Sequence, residues 1–390
     1  MADVKEAARA AIDAARGELT ALSRRIHAHP ELGYEEEQAS GWLEEVLDAA
    51  GFAVEPGVCG LPTAFRATKG SGPLHVVVCA EYDALPGIGH ACGHNVIAAS
   101  AAGAGIGAGS VADDAGLTVM VMGTPAEEVL RSGGKIRLLE GGAFEDAHAA
   151  MMTHPAPWDV AVWPIVAASF FEVHYEGKAA HASGFPEQGV NAADALTIAQ
   201  TAIGLLRQHI RSTDRVHGIV THGGDAFNII PAHASADYAV RAITLDDLTE
   251  VYEKVMRCFE AGALATGARL SVIGGDRPFA HLEHDLEIAA AYQRNAEQLG
   301  RRFPAADEPS PATPVSTDMG NVSLALPSIH PAIGIDSLPA VNHQPEFAAA
   351  CATPAADQAL YDGAVAMAWT MLDMAETPAL RVGVVAIYPR

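Results

Sequence analysis

The sequence predicts an α/β fold: a mostly parallel sheet flanked by helices, with a compact α+β module inserted into it. Two observations predict the architecture. Between residues 74 and 153, three short apolar runs alternate with helical segments, the order that builds a parallel sheet covered on both faces. From about Ala168 the pattern changes to strands around two long helices, and after about Pro278 it reverts to helices separated by loops rich in Pro, Ser and Thr. The main domain is therefore expected over 1–167 and 279–390, and the inserted one over 168–278. A chain of 390 residues has room for two or three domains at ~150 residues each.

Residues 4–27 are Ala-rich with Ile12, Leu19 and Leu22 at helical spacing, which predicts a first helix. A second passes through Trp42, Leu43, Val46 and Leu47 and stops at Gly51, a good C-cap residue. Leu74–Ala80, Leu117–Gly123 and 149–153 are apolar enough to be buried strands. Between the first two, the Ala/Gly-rich stretch 97–107 suits a tightly packed helix, and 135–140 has the length of one or two helical turns. In the inserted part, 170–175, 216–221, 234–241 and 269–273 are predicted as strands, with helices over 189–210 and Leu245–Thr266. Helices are expected again over 286–299 and 353–372. There is no internal repeat and no low-complexity tract.

Composition limits the function classes. Hydrophobic residues make up 49% of the chain and charged residues 18%, enough for a large core and far from the signature of disorder. No apolar run reaches the ~18 residues that span a bilayer. The start, Met1-Ala2-Asp3-Val4-Lys5-Glu6, lacks the basic-then-apolar layout of a secretory signal, so a cytoplasmic location is expected. Lys and Arg total 24 against 48 Asp and Glu, a formal charge of −24. Such a surface repels phosphate backbones and anionic lipid, which argues against nucleic acid or membrane as partner. The five cysteines (Cys59, Cys79, Cys92, Cys258, Cys351) are odd in number and scattered, which argues against a disulfide framework and fits a reducing compartment.

In a parallel α/β sheet, functional groups collect in the crevice at the carboxyl ends of the strands. The first predicted strand runs into Glu81-Tyr82-Asp83-Ala84-Leu85-Pro86 and then Gly89-His90-Ala91-Cys92-Gly93-His94-Asn95. The second is followed by Thr124-Pro125-Ala126-Glu127-Glu128, and the third runs into His154-Pro155. Thiolate, imidazole and carboxylate are the donors a metal site requires. Cys92 and His94 lie two apart, so in extended backbone both would point the same way. Glu127 and Glu128 are adjacent and tend to point apart, so one can bind metal while the other faces bound water. Asp83 can cap the following turn or orient a ligand histidine. His90 suits turn packing or support of a ligand as well as ligation.

These segments, taken together, resemble the co-catalytic metallopeptidase family that includes aminoacylases, glutamate carboxypeptidase and the plant auxin-conjugate amidohydrolases. The resemblance extends from His27-Ala28-His29-Pro30-Glu31-Leu32 through the motifs above to Gly177-Lys178-Ala179-Ala180-His181-Ala182, Asn228-Ile229-Ile230-Pro231, Ser316-Thr317-Asp318-Met319-Gly320 and Asn342-His343-Gln344-Pro345-Glu346-Phe347. Ala80-Glu81-Tyr82-Asp83-Ala84-Leu85-Pro86 with Cys92-Gly93-His94-Asn95 looks most like the aminobenzoyl-glutamate hydrolase and β-alanyl-lysine dipeptidase branch. Asn95 and Met319 depart from the wider pattern, where Asp and an aromatic residue are common. The resemblance implies Cys92, His94, Glu128, His154 and His343 as metal ligands, with one group bridging two ions, and Glu127 as general base and acid. It also implies a metallo-exopeptidase-like catalytic domain, and that the inserted part is a lid that mediates homodimer formation and supplies His181 or Asn228 to the cleft. Arg241 is a candidate clamp for a substrate carboxylate, because guanidinium binds it bidentately. His222, Asp318 and Gly320 join it as candidate substrate contacts.

The expected activity is hydrolysis of the amide bond of a small N-acyl amino acid or dipeptide, with two divalent cations in each protomer, zinc or manganese, cobalt also being compatible with the donors. Softness of Cys92 favours zinc, whereas Glu and His also suit manganese. The same activated water could instead deaminate a small aromatic or heterocyclic amine, which ammonia release would reveal. A non-catalytic partner protein on the same scaffold would be marked by a missing ligand, and here all five ligand positions are filled.

Overall fold

The structure, a computed structural model, describes residues 2–305, 308 and 310–377. Helices α1 (Ala2–Ala28) and α2 (Glu37–Ala49) lead to strands β1 (Ala53–Pro56), β2 (Phe65–Lys69) and β3 (Leu74–Ala80). Helices α3 (His94–Gly109) and α4 (Ala112–Ala115) precede β4 (Leu117–Gly123), α5 (Gly134–Glu140), β5 (Ala149–Met151) and β6 (His154–Ala156). A second group follows: β7 (Ala167–Glu176), α6 (Ala192–Leu206), β8 (Arg215–His222), β9 (His233–Ala242), α7 (Leu245–Thr266) and β10 (Arg269–Gly274). The chain returns through α8 (Leu286–Gln298), α9 (Met319–Ala325), β11 (Ser328–Ile329), β12 (Ala332–Gly334), α10 (Pro345–Ala350) and α11 (Pro354–Glu376). Among the described residues, no helix is long and apolar enough to cross a membrane.

The main sheet has the order β1-β2-β4-β3-β5-β11. Its centre, β4-β3-β5-β11, is parallel, while β2 and β1 add an antiparallel edge. Every residue of β4 is buried and all but His75 of β3, because helices cover both faces, and that is why both read as continuous apolar runs. The antiparallel edge is absent from the sequence prediction. Its strands carry Glu55, Arg66 and Lys69 on solvated positions, which dilutes the apolar signal in segments of four and five residues. Helix α3 is buried along nearly its whole length, sandwiched between the sheet and helices α1 and α11. Its Ala and Gly content lets those neighbours approach closely.

The inserted part forms its own antiparallel sheet, β10-β7-β9-β8, with α6 and α7 on one face. Phe171, Val173, Tyr175, Leu196, Val251 and Phe259 make a core separate from the main one. Helix α7 begins where Thr244 accepts a hydrogen bond from the Asp247 amide and ends at the left-handed Gly267, so both caps are written in the sequence. Strand β8 forms the outer edge, with Ile219 and Val220 exposed.

Candidate metal centre

Strands β3, β4 and β5 are adjacent and parallel, so the segments that leave their carboxyl ends meet in one crevice. Cys92, His94 and His154 place their donor atoms within 4.8 Å of one another, and so do Cys92, Glu128 and His343. Cys92 is common to both groups. Within each group one donor pair is 3.4 Å apart: Cys92 Sγ to His154 Nε2, and His343 Nε2 to Glu128 Oε1. Two donors on one tetrahedral ion at ~2.1 Å lie about this far apart.

The route of Cys92 and His94 into the cluster differs from the extended backbone expected. Gly93 sits at φ 82°, and His94 is the first residue of α3. The left-handed turn between them is one that glycine adopts without strain, and a Cβ there would also collide with Pro155. The third strand also differs in detail. It ends at Met151, and His154 opens a separate short strand, β6, paired with β12.

Support behind the donors is specific. Asp83 Oδ1 lies 2.9 Å from His94 Nδ1, which leaves Nε2 of that ring facing the cluster, and Asp83 Oδ2 accepts from the Glu128 amide at 2.9 Å. Two non-glycine residues in the left-handed region aim further donors. His343 has φ 68° and is held by its amide donating to Ala91 O at 2.8 Å. Ala126 has φ 60° and donates its amide to Glu36 Oε1 at 2.8 Å, directly before Glu127 and Glu128. Such conformations cost ~1–3 kcal/mol and persist where surrounding contacts over-determine them.

The donor chemistry fits divalent cations. Glu81 Oε2, His94 Nε2 and Glu128 Oε1 are buried and have no hydrogen-bond partner among the described residues. Burial, then the neighbouring Glu128, pushes the Cys92 thiol far above its ordinary pKa, so a thiolate there needs positive charge beside it. Burial lowers His154 to about 4, which keeps its imidazole neutral, the form that binds metal. Glu127, buried against Glu128, Glu81 and Asp318, is raised well above the carboxylate range by burial first and those charges second.

The lid residues are distributed differently. Arg241 lines a cleft of about 720 Å³ together with Glu128, Phe170, His217, Asp237 and Tyr238. Its guanidinium donates to Ser316 Oγ at 2.7 Å and forms no ion pair among the described residues, and burial lowers its pKa. His181 and Asn228 are exposed, and the His181 ring accepts from the amides of its own turn at Ser183 and Gly184. His222 stacks on His233 at 5.2 Å. Among the described residues, no hydrogen bond or ion pair joins these three to the Cys92 cluster within one chain. Asp318 and Gly320 correct an expectation. Both are buried; Asp318 binds Lys135, and Gly320 packs against the backbone of Ala280, so neither is presented to a substrate.

Sequence reasoning assigns no role to Lys135, Glu81 or Glu36. Lys135 is completely buried and donates to Glu81 and Asp318. A lone lysine in a short helix reads as a solvated residue, and only the fold shows otherwise. Glu81 does carry a signal, standing two residues before Asp83 at the end of an apolar strand.

Comparison with known proteins agrees with this geometry. Residues 168–266 match the peptidase dimerisation domain of the M20 family. The chain is 41% identical to the Xaa-Arg dipeptidase of Mus musculus, over 98% of this chain and 91% of that protein. It is 32% identical to one component of the p-aminobenzoyl-glutamate hydrolase of Escherichia coli, over 66% and 57% of the two chains. A dinuclear metal-binding peptidase of the M20 family from Bacillus subtilis has the same fold, with TM-score 0.66 and 22% identity over 91% of this chain and 98% of that one. The near full-length identity to a dipeptidase, with the dimerisation module in place, shows that the chain belongs to the M20 family of peptidases and is an amide-bond hydrolase.

Proposed function

We propose that the protein is a two-metal dipeptidase that releases a C-terminal amino acid with a basic side chain. The observation that carries this is the convergence of Cys92, His94, His154, Glu128 and His343, with Cys92 common to two donor triads. Cys92, His94 and His154 would hold one ion, and Cys92, Glu128 and His343 the other. The thiolate favours zinc, and manganese is the alternative for the His and Glu donors. Two cations bound there supply Lewis acidity and bring the pKa of a water from ~15.7 toward ~7.

The chain's own residues do the rest. Glu127 takes the proton from the attacking water and returns it to the leaving amine nitrogen. Its raised affinity for a proton suits the second step, and the cations' charge favours the carboxylate needed for the first. Arg241, without a carboxylate partner among the described residues, binds the substrate carboxylate, and Phe170 and Tyr238 cover the body of the dipeptide. Asp237 in the same cleft supplies a negative charge for a basic side chain, which agrees with the similarity to the Xaa-Arg dipeptidase.

Residues 1–167 and 279–390 would form the catalytic unit and 168–278 the lid. Support comes from the separate sheets and separate cores. A homodimer through the lid is supported by the dimerisation-domain match and by the exposed apolar edge at β8, and a partner's lid could then bring His181, His222 or Asn228 to the cleft. Free cysteines throughout the described residues support a reducing, cytoplasmic setting.

The test is amino-acid release by zinc- or manganese-loaded protein from dipeptides ending in Arg, Lys or Leu, from N-acyl amino acids and from aminobenzoyl-glutamate. Glu127→Gln is expected to keep its metal and lose about 10²–10⁴-fold in kcat. Near-normal turnover by that variant would remove Glu127 from the mechanism, and ammonia release in place of an amino acid would favour deamination.

A further inference from the structure

We propose that Glu81 is an additional ligand of the metal centre, held on it by the buried Lys135. The proposal rests on the two-cation reading above. Glu81 directly follows the last residue of β3, and its side chain is fully buried. Its Oε1 accepts from Lys135 Nζ at 2.5 Å. Lys135 is itself clamped at two points by Asp318, whose Oδ1 accepts from Nζ at 2.5 Å and whose Oδ2 accepts from the backbone amide at 2.8 Å. Asp318 thus fixes Lys135, and Lys135 fixes one oxygen of Glu81.

The other oxygen, Oε2, is buried without a hydrogen-bond partner among the described residues, 3.4 Å from His94 Nε2. That nitrogen also lacks a hydrogen-bond partner, while Nδ1 of the same ring is engaged by Asp83. Two buried polar atoms facing each other without a good hydrogen bond are costly unless something satisfies both. The separation equals that of the Cys92–His154 and Glu128–His343 donor pairs, so all three have the spacing of two donors on one ion.

Charge points the same way. Glu81, Glu127 and Asp318 place carboxylate oxygens within 4.8 Å of one another around the single ammonium of Lys135. Were Glu81 only the counterion of Lys135, Oε1 would suffice, and Oε2 would have been turned toward a donor. Asp318 and Lys135 act as positioning residues, and Glu81 would share an ion with His94.

Glu81→Gln keeps the side-chain size and an oxygen for Lys135 while removing the anionic donor. Metal content after dialysis, calorimetric titration with Zn²⁺, and the visible spectrum of the Co²⁺-loaded protein would be compared with wild type. One of two ions is expected to bind at least about tenfold more weakly, with a changed Co²⁺ spectrum. Two ions bound at wild-type affinity with an unchanged spectrum would overturn the proposal. Should the single variant misfold because Lys135 has lost one of its two countercharges, Glu81→Gln combined with Lys135→Met leaves the net buried charge unaltered and is read identically. Cys92→Ser runs beside them. If wild type itself binds fewer than two ions, the two-cation reading falls; if Cys92→Ser loses metal while Glu81→Gln does not, only Glu81 falls.

Discussion

Arg241 and Glu36 show at the residue scale how burial assigns work to charged side chains. A half-buried guanidinium that lacks a carboxylate partner is held ready for one, and a charge-assisted hydrogen bond of this kind is worth ~1.5–3 kcal/mol. Arg241→Ala is expected to raise KM for dipeptides about 10–100-fold with a smaller effect on kcat, which steady-state kinetics would check. Unchanged KM would place the substrate carboxylate elsewhere. Glu36 is raised from 4.5 to about 7, first by burial and then by Asp83. The folded state therefore holds more protons than the unfolded state between those values, and stability from this group falls as pH rises from about 4.5 to about 7. The full effect is on the order of 3 kcal/mol. Glu36→Gln can still accept from Ala126 and can donate to Thr63 Oγ1, so it should flatten that part of the pH–stability curve in thermal melts while leaving the Ala126 turn intact.

At the element scale the packing of α3 decides how firmly the centre is seated. Gly105 faces the sheet, and a Cβ there would overlap Val121 Cγ2 and touch Phe52. Helix propensity alone favours alanine over glycine by ~1 kcal/mol, whereas overpacking a strand-borne valine costs ~1–3 kcal/mol. Gly105→Ala is therefore expected to destabilise the fold, with a lowered Tm and weaker metal retention because His94 opens the same helix. A raised Tm would mean that the helix can shift away from β4. Elements with strong internal signals are legible in the sequence: β3, β4 and α7 have the bounds predicted, because buried runs and good caps coincide with their ends. The strands β6, β11 and β12 are not, since two or three residues exist as strand only through their partners.

For the whole molecule the question is how two chains would meet in the proposed homodimer. Strand β8 leaves a sheet edge open with Ile219 65% exposed, a surface that isolated proteins tend to blunt with charge. Ile219→Lys should leave the folded chain within about 0.5 kcal/mol of wild type, since the side chain is exposed in the single chain. Light scattering on size-exclusion fractions would then show a shift from about twice 40.5 kDa toward the single-chain mass. Loss of activity in the same variant would support a catalytic contribution from the partner's lid. An unchanged dimer would locate the interface on another face.

Residue order alone determined the α/β class and pointed to the inserted module and to the strand-end segments that carry Cys92, His94, Glu127, Glu128 and His154, because buried strands, helix caps and a Cys-Gly-His turn are local patterns that survive without a fold. The set of five ligands, His343 included, came from the family resemblance. The tertiary structure decided the rest. It brought His343 to Glu128 from the far end of the chain, placed Lys135 in the interior between Glu81 and Asp318, and set Glu36 behind the turn that aims Glu127. It also withdrew Asp318 and Gly320 from the substrate. Those outcomes depend on which distant groups share a low-dielectric interior, and a charged side chain reads the same in sequence whether it faces water or a buried counterion.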